Sequence, residues 1–322
     1  MARVVVTGKI PDAGLEMLRK NHDVFAWGED DPIPRDRLLD VVKGANAIVS
    51  LLTERVDEEL LQAAGHQLRI VANVAVGFNN IDVAACAGRG VVATNTPGVL
   101  TDATADVAMA LILMTTRQLG KGERVVRSGE PWQWGMFYML GNSIQGRQLG
   151  IIGLGQIGVA LARRAKAFGM TIAYSNRRPV EPAIGAELDA TRMDLRTLLT
   201  SSDVVSLHCP YSTATHHLIG PEQLEAMKST AYLINTARGP IVDEGALVEA
   251  LENNTIAGAG LDVFEREPLV HPGLSRLDNV VLLPHLGSAT IETRTSMATL
   301  AAANVVAVLN GETPPTPINP VA

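Results

Sequence analysis

The chain has 322 residues, of which 47% are hydrophobic and 19% are charged, and its formal net charge is −7. This length favours two domains of ordinary size, and the composition is that of a globular protein with a substantial hydrophobic core. The negative balance argues against a general nucleic-acid binder, because such a protein needs a basic face that releases counterions from phosphates.

Cysteine occurs only at Cys86 and Cys209. These are too few for a disulfide framework and fit no zinc-ligand spacing, so we expect both thiols to be reduced and buried, and we expect no metal site. The most apolar run, ADVAMALILM at 105–114, is far shorter than the about 20 residues of a membrane-spanning helix. We therefore expect a cytoplasmic protein that binds neither membranes nor nucleic acid.

The N-terminal part of the chain alternates short β-branched runs with helical patterns. The predicted strands are, in order, RVVVTG, DVFAWG, NAIVSLLT, LRIVANV and VVATN. Each crossover between parallel strands lays a helix on the sheet, so this alternation predicts a parallel sheet with helices on both faces.

Residues 148–285 repeat this organisation. They follow TDATADVAMALILMTTRQL at 101–119, which we predict to be one long helix bridging the two regions. The predicted strands here are QLGIIG, TIAYSN, VVSLHCP, AYLINTA, IAGAGLDVF and NVVLLPH. The expected fold class is therefore α/β, with two doubly wound, Rossmann-like domains built on parallel sheets.

A glycine-rich turn, GLGQIG, follows the first of these later strands and precedes a helical pattern. In that context Gly153 makes the tight turn, Gly155 lets the backbone approach a pyrophosphate, and Gly158 packs the helix on the strand. Gln156 and Ile157 open the helix, whose N-terminus would face the phosphates. We predict that these residues bind a dinucleotide.

The next strand ends at Ser175 and Asn176, roughly 20 residues beyond the glycines, where an NAD-binding protein shows an acidic residue for the ribose hydroxyl. Arg177 and Arg178 follow. Guanidinium groups at this place can pair with the 2′-phosphate of NADP, which an acid would repel. We predict that all four residues bind the cofactor, with NADP(H) preferred and NAD(H) the alternative, unless the arginines only solvate a surface loop.

Three ionisable residues follow predicted strands farther along: Arg238 in INTARGPIVDEGAL, Glu267 in GLDVFEREPL and His285 in VVLLPHLGSAT. Ligands of open α/β sheets bind at the carboxyl ends of the strands. Taken singly, each residue has an ordinary structural explanation, as a surface arginine, a solvated glutamate, and a histidine packed beside Pro284.

Together with NVAVGFNNID, TDATAD and GLGQIG, these segments occur in the order found in D-2-hydroxyacid dehydrogenases. The chain resembles that family along essentially its whole length, and PHLGSATIETR is most similar to the glyoxylate/hydroxypyruvate reductase members. The resemblance implies reduction of glyoxylate to glycolate and of hydroxypyruvate to D-glycerate, with Arg238, Glu267 and His285 as the catalytic residues.

The chemistry of that reaction fits these residue types. Hydride transfer to an α-keto acid builds negative charge on the carbonyl oxygen, so the site needs a proton donor there and a cation for the carboxylate. His285 fits the donor, because a nearby carboxylate such as Glu267 favours an imidazolium. Arg238 fits the cation, since its planar fork binds a carboxylate or a carbonyl.

The resemblance also implies further contacts. The backbone N–H groups of Val76 and Gly77 would bind the substrate carboxylate, together with the catalytic arginine and histidine. Thr104 and Thr236 would face the cofactor. Asp262 would belong to the cofactor-binding residues and would also support the histidine. Thr104 also fits the hydroxyl that often stands at the start of a helix.

The domain limits follow from the same resemblance. Residues 1–98 and 287–322 would form a flavodoxin-like, substrate-binding domain, and residues 99–286 would form the NAD(P)-binding Rossmann domain. The active site would lie in the cleft between them.

The segment GEPWQWGMFYMLGNSI at 129–144 is rich in methionine and aromatic residues and stands where the family extends an arm to a dimer partner. Exposing so much apolar surface as one patch is unfavourable, so we predict a homodimer in which this arm is covered. The alternative is a satellite core under a loop.

Other functions stay open at this point. A different D-2-hydroxyacid dehydrogenase, acting on D-lactate, 3-phosphoglycerate or phosphite, would use the same motifs. A nucleotide-sensing, corepressor-like binding protein is a further alternative, because one branch of the family shares the fold and keeps the three ionisable residues. The fold alone does not decide between them, since function depends on the site.

Overall fold

The computed structural model describes residues 1–319. The chain divides into two compact units, one formed by Met1–Leu100 together with the residues from Ser288 onward, and the other by Thr101–Gly287. The last three residues of the predicted substrate-binding domain lie outside the described residues. No helix within residues 1–319 has both the length and the apolar character that crossing a membrane requires.

The first unit is built on a parallel sheet with the strand order β2-β1-β3-β4-β5. Its strands are β1 (Arg3–Val6), β2 (Asp23–Ala26), β3 (Ala47–Ser50), β4 (Ile70–Asn73) and β5 (Val92–Thr94). Val4, Val5 and Val6 are fully buried, because a central strand covered on both faces requires a continuous apolar run. This strand order is that of flavodoxin-like sheets.

Helices cover the first sheet. They are α1 (Asp12–Arg19), α2 (Arg35–Val41), α3 (Glu58–Ala64), α4 (Val83–Gly88) and α12 (Ile291–Asn310). Asp57 caps α3 by accepting a hydrogen bond from the N–H of Leu60. A Cβ built on Gly14 of α1 would lie 2.9 Å from the carbonyl oxygen of Ala298 on α12, so the close packing of these two helices requires glycine at that position.

The second unit is built on a parallel sheet with the strand order β12-β11-β10-β9-β6-β7-β8. Its strands are β6 (Gln148–Ile152), β7 (Thr171–Ser175), β8 (Thr191–Arg192), β9 (Val204–Leu207), β10 (Tyr232–Asn235), β11 (Gly258–Leu261) and β12 (Val280–Leu282). Strands β7 and β9 lie on opposite sides of β6, so the direction in which strands are added reverses there. This is the topological switch point, where the carboxyl ends of the strands open a crevice for a ligand.

Helices lie on both faces of this second sheet. They are α5 (Thr101–Thr116), α6 (Leu119–Ser128), α7 (Gln156–Ala167), α8 (Pro182–Leu188), α9 (Leu195–Ser201), α10 (Pro221–Ala226) and α11 (Glu244–Glu252). Leu233 belongs to one apolar cluster with Leu247 of α11, whereas its neighbour Ile234 belongs to another with Leu161 of α7. Successive side chains of β10 thus pack on opposite faces, as strand geometry requires.

The predicted α/β class with two parallel sheets is confirmed, but the bridging helix predicted over 101–119 is shorter. Helix α5 ends at Thr116, and Gln118 takes a left-handed φ of 53°. The hydroxyl of Thr116 donates to the carbonyl of Ile112 at 2.7 Å, and the carbonyl of Thr116 accepts from the N–H of Asn142 at 2.8 Å. Because that carbonyl accepts from Asn142 instead of from an N–H of a following helical turn, α5 ends there and α6 begins as a separate helix.

Candidate active site

The GLGQIG turn lies at the switch point, between β6 and α7. Gly153 has a left-handed φ of 98°, and a Cβ there would lie 2.5 Å from the backbone nitrogen of Cys209. A Cβ on Gly158 would lie 2.7 Å from the carbonyl oxygen of Gly153. Both positions therefore require glycine. Around Gly155, by contrast, no described atom lies within 4 Å of such a Cβ, so the backbone there is open to a ligand.

The N-terminus of α7 is suited to an anion. Gly155 precedes the helix, and Gln156 and Ile157 are its first residues. The first N–H groups of a helix have no intrahelical partner, and here no described side chain caps them and no acidic residue lies in the first turn. The helix dipole therefore favours a negative group at this end, and the turn fits the pyrophosphate of a dinucleotide.

Ser175 and Asn176 fix this turn against the end of β7. Oδ1 of Asn176 accepts from the N–H of Leu154 at 2.7 Å, and its Nδ2 donates to the carbonyl of Leu154 at 3.3 Å. The N–H of Gly153 donates to the carbonyl of Ser175 at 3.1 Å. Asn176 therefore shapes the site by holding the backbone of the glycine turn.

Three arginines surround the end of β7. Arg177 and Arg178 are exposed, and no salt bridge joins either one to an acidic residue within residues 1–319. Arg192, which the sequence analysis missed, pairs with Tyr174 from the edge strand β8. Its Nη2 donates to the carbonyls of Asn176 at 3.0 Å and Arg177 at 3.1 Å. The third guanidinium thus braces the loop that carries the other two.

His285 follows β12 and has a φ of 56°, a left-handed conformation that is uncommon for residues other than glycine. Its Nδ1 lies 2.7 Å from Oε2 of Glu267. Because a carboxylate only accepts hydrogen bonds, Nδ1 carries the proton in this contact. The imidazole is therefore oriented through Nδ1, and Nε2 remains for a ligand.

Asp262 anchors the backbone that carries His285. The side chain is fully buried, and its carboxylate accepts from the N–H groups of Leu286 at 2.7 Å and Gly287 at 2.8 Å. Burial raises the pKa of Asp262, and these two N–H groups oppose the rise. Thr104 is also buried, and its hydroxyl donates to the carbonyl of Gly287 at 3.1 Å. Both side chains therefore hold the segment around the histidine.

Glu267 is the carboxylate partner of the histidine. Its Oε1 accepts from the N–H of Phe264 at 3.0 Å, while Oε2 contacts His285. Burial raises the pKa of Glu267, but the hydrogen bond from His285, that N–H group and the charge of Arg238 outweigh burial and hold the pKa below its ordinary value. An ionised carboxylate therefore stands beside the imidazole at neutral pH.

Arg238 lies in the turn after β10, and Asn235 holds that turn. Oδ1 of Asn235 accepts from the N–H of Ala237 at 3.0 Å, and its Nδ2 donates to the carbonyl of Arg238 at 2.9 Å. Burial lowers the pKa of the Arg238 guanidinium, and the charge of Glu267 opposes this effect. An arginine keeps its proton at neutral pH in either case, so the turn presents a fixed positive charge.

The turn after β10 and the loop of Glu267 are in direct contact. A Cβ built on Gly239 would overlap the carbonyl group of Phe264, so glycine lets the two segments touch. Next to Arg238, the buried hydroxyl of Thr236 has no hydrogen-bond partner within residues 1–319. A buried polar group without a partner is unfavourable unless a ligand satisfies it. The second unit thus brings the three predicted catalytic side chains together beside an unsatisfied hydroxyl.

Val76 and Gly77 form a turn after β4 in the first unit. Their carbonyls accept from the side chain of Asn95 at 2.8 Å and from that of Asn73 at 3.0 Å. Their N–H groups have no hydrogen-bond acceptor in the described part of the chain. The carbonyls are therefore fixed while the two donors stay available for an anionic group.

His208 and Cys209 follow β9 and touch the glycine turn, and the sequence analysis did not assign them to the site. Cys209 is half-buried, in contrast to the buried Cys86, and its backbone lies against the glycine turn at Gly153. Burial raises the pKa of each thiol to about 11. Burial lowers the pKa of His208 to about 4, so the switch point carries a neutral imidazole whose Nε2 lies 2.8 Å from the hydroxyl of Ser206.

Residues 109–287 match the family model described as D-isomer specific 2-hydroxyacid dehydrogenase, NAD binding domain. The chain belongs to the D-isomer specific 2-hydroxyacid dehydrogenase family. It is 50% identical to the glyoxylate reductase of Pyrococcus horikoshii over 98% of this chain and 96% of that protein. Relatives in Thermococcus onnurineus and Korarchaeum cryptofilum, also named glyoxylate reductase, are 49% and 47% identical, with 98% of this chain and 96% of each relative covered.

Solved structures agree with this assignment. A protein of Thermus thermophilus superposes with a TM-score of 0.92 at 42% identity, covering 98% of this chain and all of that one. The NADPH-dependent glyoxylate/hydroxypyruvate reductase of Sinorhizobium meliloti, solved with NADP and malonate, superposes with a TM-score of 0.84 at 36% identity, covering 99% and 97%. The predicted family is confirmed, and the chain is an NAD(P)-dependent oxidoreductase that uses a nicotinamide cofactor.

The predicted catalytic residues and the glycine turn of the second unit lie near the carboxyl ends of its strands. The glycine turn and the arginines stand at the switch point of the second sheet, and the three ionisable side chains stand at the ends of β10 and β12 and in the loop after β11. Within residues 1–319, no three His, Cys, Asp or Glu side chains are grouped so that they could hold a metal ion.

Proposed function

We propose that the chain is an NADPH-preferring reductase of small 2-oxo acids, which converts glyoxylate to glycolate and hydroxypyruvate to D-glycerate. The observation that carries the proposal is the hydrogen-bonded pair of His285 and Glu267, 2.7 Å apart, next to the turn of Arg238. The names of the Pyrococcus and Sinorhizobium relatives, glyoxylate reductase and glyoxylate/hydroxypyruvate reductase, support the substrate class.

The proton for the reaction comes from His285. When bound, NADPH supplies a hydride to the carbonyl carbon of the 2-oxo acid. Negative charge then grows on the carbonyl oxygen, and Nε2 of His285 donates its proton there, leaving a neutral imidazole. Glu267 holds Nδ1 at 2.7 Å, so the ring keeps one orientation while the proton leaves from the opposite nitrogen.

Two groups of donors bind the substrate carboxylate. Arg238 supplies a fixed positive charge that pairs with the carboxylate or the carbonyl oxygen. The first unit, predicted as residues 1–98 and 287–322, is the substrate-binding domain, and the available N–H groups of Val76 and Gly77 donate to the carboxylate. When the 2-oxo acid is held through its carboxylate, its carbonyl takes one orientation toward His285, so the proton can be transferred directly.

The second unit, predicted as residues 99–286, holds the cofactor. The open backbone at Gly155 and the first N–H groups of α7, at Gln156 and Ile157, bind the pyrophosphate. The unpaired hydroxyl of Thr236 lies on the nicotinamide side, where a ligand would supply the hydrogen bond that the described chain does not.

The preference for NADPH comes from the end of β7. Ser175 and Asn176 carry no negative charge there, so no described side chain of β7 would repel a 2′-phosphate. Arg177 and Arg178 are exposed and face no competing acidic partner in the described chain, so they can pair with the phosphate. The hydrogen bonds from Arg192 to the carbonyls of Asn176 and Arg177 hold the loop in place.

The aromatic segment 129–144 forms the contact of a homodimer. Trp134 is 76% exposed and Phe137 is 88% exposed, while Trp132 stacks on Tyr138 with ring centroids 6.1 Å apart. These side chains form an exposed apolar patch rather than a satellite core, and such patches mark interfaces. A two-fold arrangement lets the same patch on two copies cover each other.

A panel of substrates measured at initial rates with NADPH tests the proposed activity. We expect glyoxylate and hydroxypyruvate to be reduced with a higher kcat/KM than pyruvate, followed as loss of NADPH absorbance. A higher kcat/KM for oxidation of D-lactate, 3-phosphoglycerate or phosphite, measured with NADP⁺ or NAD⁺ as the hydride acceptor, would assign one of those activities instead. Tight nucleotide binding without turnover of any of these compounds would assign a nucleotide-sensing role.

A further inference from the structure

His217 contacts both loops that carry the predicted catalytic residues, although it lies outside the segments from which the site was predicted. Its Nε2 is hydrogen-bonded to the carboxylate of Glu265, which stands in the loop of Glu267. Its Nδ1 lies 3.8 Å from Oδ2 of Asp243, the residue that caps α11. The imidazole therefore lies between two carboxylates that belong to different segments.

The backbone of His217 is bound to the turn that begins at Arg238. The N–H of His217 donates to the carbonyl of Pro240 at 2.9 Å, and the N–H of Ile219 donates to the carbonyl of Ile241 at 3.0 Å. These bonds hold the segment of His217 in register with the turn. The side chain reaches one catalytic loop while the backbone is fixed to the other.

The loop of Glu267 is held through Glu265. The N–H of Glu265 donates to Oε1 of the buried Glu244 at 2.7 Å, and its carboxylate accepts from His217. The N–H of the preceding Phe264 donates to Oε1 of Glu267 at 3.0 Å. A displacement of Glu265 would therefore move the backbone donor that fixes the Glu267 carboxylate.

The conformation of His217 indicates that more than packing keeps it in place. Its φ is 48°, in the left-handed region that residues other than glycine rarely occupy, and such conformations concentrate at functional sites. The side chain is 37% exposed, and its ring stacks on that of His216 with centroids 4.0 Å apart. The ring is too exposed to serve as core filling, and its polar contacts are with the carboxylates of Glu265 and Asp243.

We propose that His217 is a positioning residue. Through Glu265 it holds Glu267 in the place where that carboxylate orients His285, and it keeps this pair in register with the turn of Arg238. This proposal rests on the proposed function, because displacing Glu267 lowers the rate only if His285 is the proton donor. Loss of the contact should slow the chemical step and leave nucleotide binding intact, since the glycine turn is a separate part of the unit.

Four variants measured with glyoxylate and NADPH test this role. For H217A we expect kcat to fall by about tenfold or more, because a misplacement of reacting groups by about 1 Å can cost about hundredfold. The Kd of NADPH should stay unchanged within about twofold. H217Q should recover most of kcat, because the glutamine amide nitrogen can replace Nε2 as a donor. E265A should match H217A, and the double variant should be no worse than either, as expected of two groups in one contact.

H216A is the matched control, because His216 stacks on His217 and contacts the hydroxyl of Tyr211 instead of a catalytic loop. We expect its kcat to stay within about twofold of the unmodified chain. Unchanged kcat in H217A would overturn the proposal. A parallel fall of kcat, NADPH affinity and melting temperature, without rescue by H217Q, would also overturn it and leave His217 a stability residue.

Hydrogen exchange of the nucleotide-free protein gives a second readout that does not depend on activity. In H217A we expect faster exchange of the amides in 264–267 and unchanged exchange in the glycine turn 153–158. Equal exchange in both proteins would overturn the positioning role. If the unmodified chain reduces no 2-oxo acid, the proposed function fails, and the exchange comparison still decides whether His217 holds the loop.

Discussion

Replacing Arg177 and Arg178 together by alanine should weaken NADPH binding much more than NADH binding. The two cofactors differ by one phosphate, and both guanidinium groups are exposed at the end of β7. An exposed ion pair contributes up to about 1 kcal/mol, so two pairs to one phosphate give about 2 kcal/mol, or about 30-fold in the Kd of NADPH. The Kd of NADH should change by less than about twofold, because its ribose hydroxyl needs no cation.

Titration of each nucleotide at fixed ionic strength measures these constants. R276A is the matched control, because the exposed Arg276 stands between β11 and β12, at the opposite edge of the sheet from β7 and β8. It removes one arginine charge from the same unit, and we expect it to leave both constants unchanged. Added salt should weaken NADPH binding more in the unmodified chain than in the double variant, because exposed charge pairs are screened.

Two results would refute the reasoning about the arginines. Equal weakening of NADPH and NADH in the double variant would mean that the loop matters for its structure and not for its charge. Because R276A removes one charge and the double variant removes two, a free-energy effect of R276A on NADPH about half that of the double variant would mean that only the net charge of the protein counts. R192A separates bracing from pairing, since Arg192 bonds backbone carbonyls, and it should weaken NADPH by a smaller factor than the double variant.

Three further outcomes follow from the structure. Gly153→Ala should abolish nucleotide binding, as seen by calorimetry, because a Cβ there meets backbone atoms at a φ of 98°. Burial raises the pKa of Asp203, but a backbone N–H and Lys228 outweigh it and lower that pKa. The stabilisation is therefore complete above the unfolded pKa of about 3.9 and is lost as pH falls through the lower folded value. Asp203→Asn should lower the free energy of unfolding by about 1–2 kcal/mol at about pH 7, and denaturant melts should show this difference shrinking below about pH 4. Trp134→Glu with Phe137→Glu should yield monomers by light scattering, whereas an unchanged mass would remove the proposed interface.

The strands of both sheets could be predicted because parallel strands covered on both faces need apolar, β-branched runs such as Val4 to Val6. Strand β8 carries no such run. It consists of Thr191 and Arg192 at the edge of the sheet and exists through its pairing with β7. Arg192 could therefore not be recognised as part of the site, since its position depends on a tertiary contact.

The residue types of the site could be predicted from motifs in sequence order, but their supports could not. Nothing local shows that the carboxylate of Asp262 receives the N–H groups of Leu286 and Gly287. The contact of His217 with Glu265 spans 48 residues of sequence. Such pairings arise from how the strands are ordered in the sheet, and a one-dimensional pattern does not contain that order.

The central claim, that His285 donates the proton, is tested most directly by His285→Ala with glyoxylate as substrate. The account predicts that kcat falls by at least about hundredfold, the typical contribution of a positioned acid, while the Kd of NADPH stays within about twofold because the glycine turn is untouched. Retained turnover, or an equal loss of turnover and NADPH binding, would contradict it.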